Sequence, residues 1–381
     1  MQQVLFRVPG LDLPIYGYGT MLFLAFVFCT WLAARLGKRD GIPREAFQDL
    51  SIWLFVFGIL GARLTYYIQY RDRFQSFAQI TAIWDGGLVF YGSLPGAVFG
   101  YFLAYRFQFK KYGISHWKIA DIVAPCLCLG LALGRLGCLL NGCCFGNVSC
   151  TDGCPALHFP MASPPRFAMV ERGYQSAAGF VLETVNRPKE EPAIVYAVSP
   201  GSPAEEAGLR PGDRIVQVNT RQTPAFADVY GAFTTDWPRG QNALYLEVKN
   251  QSGEAREVGP FYPLSIGLHP TQLYETISMV LLMFALLAYF PLRRYEGTVM
   301  VAWMYGYGVH RFLNEMLRTD TAPVAFGMTL SQNISILILI SATVLLLIAR
   351  MRRPVDPHAP GDSNPPADPA PSTVEMPSAT A

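Results

Sequence analysis

Of the 381 residues, 51% are apolar and only 15% are charged, whereas roughly 25% are charged in an ordinary soluble domain. The net charge of +2 is small, and no basic run is interleaved with aromatic residues as a nucleic-acid groove requires. The composition therefore predicts a membrane protein and excludes a nucleic-acid partner.

Seven apolar segments have about the 20 residues that a helix needs to cross the hydrocarbon core. They cover residues 14–36, 47–70, 86–106, 117–140, 272–291, 297–317 and 331–350. The first is followed by Lys38 and Arg39 without a small-residue cleavage site, which indicates a retained helix and not a secretory signal. The predicted fold is an all-α polytopic membrane protein of about seven transmembrane helices, in two parts at 1–146 and 262–353.

Basic residues in the short loops predict the orientation of these spans. One side would carry Arg35, Lys38, Arg39, Arg44, Arg106, Lys110, Lys111, Lys118, Arg293, Arg294, Arg350, Arg352 and Arg353. The other side would carry only Arg7, Arg71, Arg73 and Arg318. The positive-inside rule places the first group in the cytoplasm, so that the N-terminus and residues 141–271 lie outside. The C-terminus is then cytoplasmic, and its proline-rich segment 354–381 is expected to be disordered.

A segment between the fourth and fifth spans lacks the membrane pattern. A Cys- and Pro-rich loop at 147–171 is followed by residues 172–261, where short β-branched runs such as 193–198 alternate with turn residues. Residues 199–219 (SPGSPAEEAGLRPGDRIVQVN) closely resemble the PDZ family, with a one-turn helix at 204–207 stopped by Gly208 and a strand at 214–218.

This resemblance implies a small β-rich inserted domain whose longer helix lies at 226–233. PDZ domains bind peptides by adding a strand to a sheet edge, and residues 178–180 are the candidate loop for a terminal carboxylate. A periplasmic peptide or protein is therefore a candidate partner. The alternative is a PDZ-like fold that serves only as a spacer or docking surface.

Polar residues inside the predicted spans are functional candidates, because a charge at the bilayer centre is costly. They are Arg63, Asp85, Tyr91, Arg135, Asn141, Glu275, Arg311 and Glu315. With a rise of about 1.5 Å per residue from the cytoplasmic end of each predicted helix, Arg63, Arg135 and Arg311 fall in the outer half of the bilayer. Guanidinium groups at that depth suit a phospholipid phosphate, and Glu315 lies four residues from Arg311 on the same helix face. The alternative is that these arginines snorkel to the interface or pair with carboxylates for folding.

Five motifs carry a second resemblance. They are residues 16–21 (YGYGTM), 84–93 (WDGGLVFYGS), 134–146 (GRLGCLLNGCCFG), 269–275 (HPTQLYE) and 307–315 (YGVHRFLNE). Their order and spacing resemble the phosphatidylglycerol:prolipoprotein diacylglyceryl transferases over about 1–146 and 262–350. The resemblance implies a multi-pass protein of the bacterial inner membrane that transfers a diacylglyceryl group from phosphatidylglycerol to the lipobox cysteine of a prolipoprotein. It implies no metal and no cofactor.

The same resemblance suggests roles for individual residues. Arg135 and Arg311 would bind the phosphate and stabilise the transition state. The predicted catalytic set is Arg135, Arg311, Glu315, Tyr18, Tyr91 and His269. The predicted substrate-binding set is Arg63, Asn141, Gly146, Gln272, Tyr274, Glu275 and Tyr307.

Three positions depart from the family pattern. Tyr91 stands where the family usually has His, Cys138 where it has Asn, and Cys143 where it has Glu. A free thiol with a pKa near 8.5 is mostly protonated at neutral pH, so the incoming cysteine needs a base or a positive environment. Tyr91 is a weak base unless the arginines lower its pKa, and His269 is either a substitute base or an interfacial histidine.

Five of the eight cysteines cluster beyond the fourth span. They are Cys138, Cys143, Cys144, Cys150 and Cys154. An oxidising compartment favours disulfides. The adjacent Cys143 and Cys144 cannot readily pair with each other, so Cys150 and Cys154 are plausible partners for them. A zinc site is the alternative, although the paired Cys-x2-Cys spacing of structural zinc is absent.

Two rival functions remain. One is a non-catalytic relative that keeps the lipid site and uses the PDZ-like domain as an interaction module. The other is an intramembrane protease, which also combines spans with PDZ domains. The protease is disfavoured because the sequence contains neither His-Glu-x-x-His nor Gly-x-Ser-x-Gly.

Overall fold

The computed structural model describes residues 3–10, 13–71, 89–150, 153–161, 163–183, 190–233, 241–318 and 323–351. The predictions for Asp85 and for the disordered segment 354–381 lie outside these residues, as does the side chain of Tyr91.

Helices stand at each of the seven predicted places. The ten α-helices of the described chain are α1 Gly17–Arg39, α2 Arg44–Gln69, α3 Phe90–Ala104, α4 His116–Asn141, α5 Pro164–Glu171, α6 Pro203–Glu206, α7 Phe226–Phe233, α8 Thr271–Tyr289, α9 Thr298–Glu315 and α10 Leu330–Arg350. A π-helical turn, Tyr105–Phe109, continues α3, and a 3-10 turn, Phe290–Leu292, extends α8.

Within the described residues, five helices are long and apolar enough to span a membrane. They are Gly17–Arg39, Arg44–Gln69, His116–Asn141, Thr271–Leu292 and Leu330–Arg350. Many large apolar side chains on them are exposed, for example Phe23, Phe55 and Leu337. Such faces suit lipid, so the protein is a polytopic membrane protein.

The strands are β1 Val4–Val8, β2 Leu13–Tyr16, β3 Phe180–Leu182, β4 Val195–Val198, β5 Arg214–Val218, β6 Arg221–Gln222, β7 Leu244–Lys249, β8 Ala255–Phe261, β9 Pro323–Ala325 and β10 Met328–Thr329. The first span was predicted from residue 14, but residues 14–16 pair with β1 in an antiparallel hairpin. That start was wrong because the aromatic and β-branched residues of β2 are apolar enough to extend a hydropathy window.

The chain divides into two compact units. The first comprises residues 1–29, 127–286 and 301–345. Within it, β3 pairs with β4, and a second sheet has the order β6-β5-β7-β8. These strands enclose one hydrophobic core that includes Ala204 of α6, Val229 and Phe233 of α7, and Leu246 of β7. The described residues between 180 and 261 therefore form a β-rich body, whose core also includes Met161 and Ala178.

A smaller hydrophobic core in the first unit packs the segment that follows α4 against the segment that precedes α8. It contains Phe145, Phe159, Met169 and Leu268, all nearly inaccessible to solvent. Backbone hydrogen bonds join Leu157 and Leu268 in both directions, at 2.9 and 3.1 Å. The segment after α4 is thereby packed against the segment before α8.

The second unit comprises residues 30–126, 287–300 and 346–381. Glycines allow α2 and α3 to pack closely, because a Cβ added at Gly61 would lie 2.3 Å from the Gly92 carbonyl oxygen. Small residues of this kind are typical of membrane helix contacts.

Asp121 of α4 caps the start of α9 in this unit. Its two carboxylate oxygens accept hydrogen bonds from the backbone nitrogens of Gly297, Val299 and Met300, at 2.8, 2.9 and 3.1 Å. Arg293 contributes its charge, with Nε 3.6 Å from the carboxylate of Asp121. A fully buried carboxylate thus satisfies the free amides at a helix N-terminus and complements the helix dipole.

We predict that Asp121→Ala destabilises the protein by about 3 kcal/mol, because removal of one partner leaves buried amides and a cation uncompensated. Thermal unfolding in detergent measures this effect. Glu45→Ala, which removes an exposed carboxylate at the start of α2, is the matched control. Equal midpoints for the two variants would show that the cap does not stabilise the fold.

Candidate functional site

One buried carboxylate connects three helices of the first unit. Glu275 lies one turn into α8 and is fully buried. Its Oε2 lies 2.9 Å from Nε of Arg135 on α4 and 3.7 Å from Nη1 of Arg311 on α9. Asn314 donates to the same oxygen at 3.2 Å. Since an isolated buried carboxylate is strongly unfavourable, these contacts offset the cost of burying Glu275 and fix both arginines.

A second carboxylate, Glu315, continues the cluster. Its Oε2 lies 2.8 Å from Nη2 of Arg311, and this i,i+4 pair is the one that the sequence predicts. Arg318 approaches the same oxygen at 3.9 Å, while Thr329 donates to Oε1 at 3.1 Å. Arg311 also donates to Ser331 Oγ at 2.7 Å, so its planar group is held at a defined angle.

The turn after α4 is bonded to the start of α8. Gln272 Nε2 donates to the carbonyl oxygen of Cys143, and Thr271 Oγ1 donates to that of Cys144, both at 2.8 Å. The Gly146 nitrogen donates to the carbonyl oxygen of His269 at 3.0 Å. A Cβ at Gly146 would lie 2.6 Å from that same oxygen, so only glycine allows the two segments to approach this closely.

Three thiols gather at this turn. The Sγ atoms of Cys138, Cys143 and Cys144 lie within 4.8 Å of one another. Hydrogen bonds from the thiols of Cys138 and Cys143, followed by the charge of Arg135, lower the pKa of the Cys144 thiol. Tyr18, at the start of α1, interacts electrostatically with all three thiols and with Arg135.

Cys150 and Cys154 form a disulfide. The prediction that some of the five clustered cysteines are paired is therefore confirmed. The other three form no disulfide.

Several buried polar atoms around Glu275 make no hydrogen bond to any residue that the structure describes. They are the acceptors Gln272 Oε1, Glu275 Oε1 and Asn314 Oδ1, the donor Arg311 Nη1, and His310 Nε2. Buried polar groups are normally satisfied, so a concentration of unsatisfied ones indicates a place where a polar ligand binds. Donors for an anion and acceptors for hydroxyl groups are both present.

The structure brings together most of the predicted site residues. Arg135, Glu275, Arg311 and Glu315 make direct ion pairs. Tyr307 interacts electrostatically with Glu275 and Arg311, and its ring stacks on Trp303 with a centroid separation of 5.1 Å.

Other predicted residues have local partners. The Nδ1 atom of His269 lies 3.4 Å from the Tyr274 hydroxyl. The Asn141 carbonyl oxygen accepts from Gln3 Nε2 at 3.0 Å. Arg63 belongs to the second unit, where its guanidinium lies 5.5 Å from the Tyr66 ring centroid.

Three further residues of the cluster were not among the predicted site residues. His310, Asn314 and Arg318 contact or interact electrostatically with Glu275, Glu315 or Arg311. The sequence could have identified His310 and Asn314, because both are polar residues inside an apolar span and such residues are functional candidates. Arg318 lies just beyond the helix end, where a basic residue is ordinary.

Comparisons with known proteins bear on what this cluster does. The family model described as "Prolipoprotein diacylglyceryl transferase" matches residues 3–348. The chain belongs to the prolipoprotein diacylglyceryl transferase family.

Individual relatives carry the name phosphatidylglycerol–prolipoprotein diacylglyceryl transferase. The protein so named from Rhodopirellula baltica is 28% identical over 371 residues, which cover 89% of this chain and 73% of that relative. One from Bacillus cereus strain B4264 is 37% identical over 167 residues, covering 41% of this chain and 60% of the relative. One from Bacillus thuringiensis subsp. konkukian is 38% identical over 149 residues, covering 39% and 53%.

The contact between Gly146 and His269 yields a prediction about stability. Gly146→Ala should destabilise the family member by about 1–3 kcal/mol, because the added methyl group overpacks a buried backbone contact. Thermal unfolding in detergent is the measurement. The control is Gly134→Ala, a helical glycine with open space around the added Cβ. If Gly146→Ala were as stable as Gly134→Ala, the close contact would not hold the turn.

Proposed function

We infer that the chain transfers a diacylglyceryl group from phosphatidylglycerol to the lipobox cysteine thiol of prolipoproteins. The products are a thioether on the protein and glycerol phosphate. Family membership provides the reaction, and the buried cluster around Glu275 is the observation in this chain that supports it most directly.

The charge of the cluster suits a phosphodiester. Three guanidinium groups, on Arg135, Arg311 and Arg318, face the two carboxylates of Glu275 and Glu315. Guanidinium groups supply the planar, paired donors that the oxygens of a phosphodiester accept. The carboxylates hold the arginines in place before the lipid binds, so little reorganisation is needed as charge develops on the leaving phosphate.

The unsatisfied atoms suit the remainder of the head group. Arg311 Nη1 is a free donor for a phosphate oxygen, while the Gln272, Glu275 and Asn314 oxygens are free acceptors for hydroxyl groups. Phosphatidylglycerol has an anionic phosphate and two hydroxyls on its terminal glycerol. In this proposal Gln272 and Glu275 bind the head group, and Tyr307 lines the same pocket.

Activation of the thiol is assigned to residues near the start of α1 and the turn after α4. Tyr18 lies in electrostatic contact with Arg135, and His269 is adjacent to Gly146. Tyr91, Arg63, Asn141 and Tyr274 retain the catalytic or binding roles that the sequence motifs suggest. A non-catalytic lipid-binding relative remains the second candidate, motivated by Tyr91, Cys138 and Cys143 at positions of usual family residues.

The proposal includes seven spans in the bacterial inner membrane, with α3 and α9 crossing in addition to the five helices that satisfy the length and hydropathy criteria. The N-terminus lies outside and the C-terminus in the cytoplasm, as the distribution of loop arginines and lysines favours. The cluster then lies in the outer half of the bilayer, where phosphatidylglycerol and an exported lipobox can both reach it.

We predict that Arg311→Lys and Arg135→Lys each reduce transfer by a factor of about 10²–10³. Lysine keeps the charge but loses the planar, paired donors, and loss of one transition-state donor has this effect elsewhere. The assay follows radiolabelled phosphatidylglycerol onto a lipobox peptide, using purified and folded variants.

The matched control for both variants is Arg350→Lys, which changes an exposed arginine in the last turn of α10. Near-normal transfer by both cluster variants would remove the phosphate assignment. No transfer by folded wild-type protein, across several lipobox peptides, would favour the non-catalytic relative.

For the β-rich body we propose a PDZ-like domain, residues 172–261, that binds an extended periplasmic peptide. Helix α6 is followed by Gly208 with a φ of 89°, then β5 and α7 follow in the order that the sequence resemblance implies. Phe180 of β3 packs edge-on against Phe233 of α7, with a centroid separation of 5.7 Å. A peptide strand would be added beside β3, with residues 178–180 facing its terminal carboxylate.

We predict that the membrane part still folds when residues 177–262 are replaced by a short Gly-Ser linker. The two ends are adjacent, because Gln175 Nε2 donates to the Leu264 carbonyl oxygen at 3.2 Å and Gln175 also accepts from the Ile266 nitrogen. Transfer should then fall more for some lipoproteins than for others. Size-exclusion behaviour in detergent and transfer to a panel of lipoproteins measure the two effects. Loss of the folded membrane part would show that the domain is structural.

A further inference from the structure

The three thiols of Cys138, Cys143 and Cys144 have no assigned role in the proposed transfer. Their Sγ atoms lie within 4.8 Å of one another, and none is in a disulfide. In a tetrahedral zinc site with Zn–S bonds of about 2.3 Å, neighbouring sulfur atoms lie roughly 3.8 Å apart.

The backbone of each cysteine is held in place. The nitrogens of Gly142 and Cys143 both donate to the Cys138 carbonyl oxygen, at 2.9 and 3.0 Å. Gln272 and Thr271 hold the carbonyl groups of Cys143 and Cys144. Such outer contacts orient metal ligands and are as important to a metal site as the ligands themselves.

Disulfide formation explains the trio less well. Cys143 and Cys144 are adjacent and cannot readily pair with each other. A disulfide between Cys138 and either of them would leave the third thiol unpaired. Cys150 and Cys154, which follow the trio in the chain, are already bonded to each other. Three convergent thiols suit one ion with three protein ligands.

We propose that Cys138, Cys143 and Cys144 bind one Zn²⁺ ion as thiolates, and that its fourth position takes the cysteine thiol of the substrate. Three protein ligands and one open position are the arrangement of catalytic zinc, and a thiol that coordinates zinc loses its proton. The proposal rests on the proposed function, and it makes the metal, in place of Tyr18 and His269, the group that activates the thiol.

The surrounding charges fit this assignment. Zn²⁺ with three thiolates carries one negative charge, and the incoming thiolate adds a second. Arg135 interacts electrostatically with Cys138 and Cys144, and Arg318 interacts with Cys144. These cations offset part of the negative charge of the site, and Arg135 also pairs with Glu275.

The transfer step balances without any oxidation or reduction. The substrate thiol gives its proton to water as its sulfur coordinates the zinc ion. The sulfur then donates an electron pair to the glyceryl carbon that carries the phosphate ester, and the C–O bond of that carbon breaks. The bonding electrons pass to the phosphate oxygen, so glycerol phosphate leaves and a neutral thioether remains. A thioether is a weaker zinc ligand than a thiolate, which allows the product to dissociate.

Metal content is the first test. The full-length protein is purified in detergent with a mild reductant and without chelator, and its zinc is measured by mass spectrometry. We expect about one zinc per chain in the wild type and little in Cys138→Ser, Cys143→Ser and Cys144→Ser. Cys29→Ser, in α1, is the matched control and should retain the metal. A zinc-free wild type whose three thiols alkylate freely, or a disulfide within the trio, would overturn the proposal.

The open position is tested with cobalt. Co²⁺ in place of zinc should give thiolate charge-transfer absorption, and a lipobox peptide should change that spectrum in the absence of phosphatidylglycerol. The same peptide with serine in place of its cysteine should leave the spectrum unchanged. Equal spectra with both peptides would overturn substrate coordination.

Transfer measurements separate this proposal from the proposed function. Loss of the metal should reduce transfer at least about tenfold, because a thiol with a pKa near 8.5 is mostly protonated at pH 7. Full transfer by the metal-free protein would overturn the zinc proposal and leave the transferase function intact. Absence of transfer by the zinc-loaded, peptide-binding protein would overturn the transferase function, since metal content and cobalt spectra are measured without lipid.

Discussion

The carboxylate of Glu275 can be buried because cations and donors from two other helices surround it. Arg135 of α4 and Arg311 of α9 approach the same oxygen, and Asn314 adds a hydrogen bond. Removing a carboxylate from water is costly, and removing a guanidinium is also costly, so each group stabilises the others in place. Because the contacts join three helices, the positions of α4, α8 and α9 at this end of the unit depend on one another.

The same dependence prepares the site for an anion. Arginines that were free to move would have to lose rotamer entropy when a phosphate arrived. Here Arg311 is already fixed by Glu275, Glu315 and Ser331. Its rotamer entropy is therefore lost when the protein folds and not when a phosphate binds. The pairing with carboxylates, which the sequence offered as an alternative to phosphate binding, is compatible with it, because Nη1 of Arg311 makes no hydrogen bond to any described residue.

Much of this arrangement could be predicted from the sequence, and the limits have physical causes. Hydropathy located helices at all seven places, and the spacing of Arg311 and Glu315 predicted their contact, since both signals are local. The pairing of Glu275 with Arg135 joins residues 140 positions apart and has no local signal. The convergence of Cys138 on Cys143 and Cys144 also depends on a turn at Gly142 and Cys144, both with positive φ, which a spacing rule for zinc does not include.

The turn after α4 links the two chemical requirements of the transfer. A leaving phosphate needs positive charge, whereas an attacking sulfur needs to be deprotonated and electron-rich, and the two needs oppose each other if the groups share one environment. Arg135 takes part in both environments, because its guanidinium contacts Glu275 and also interacts electrostatically with the thiols of Cys138 and Cys144. In the two proposals, a fixed cation that interacts with both the sulfur site and the phosphate cluster reduces their mutual repulsion. The hydrogen bonds from Gln272 and Thr271 to the cysteine turn then maintain that separation, since they tie it to the helix that carries Glu275.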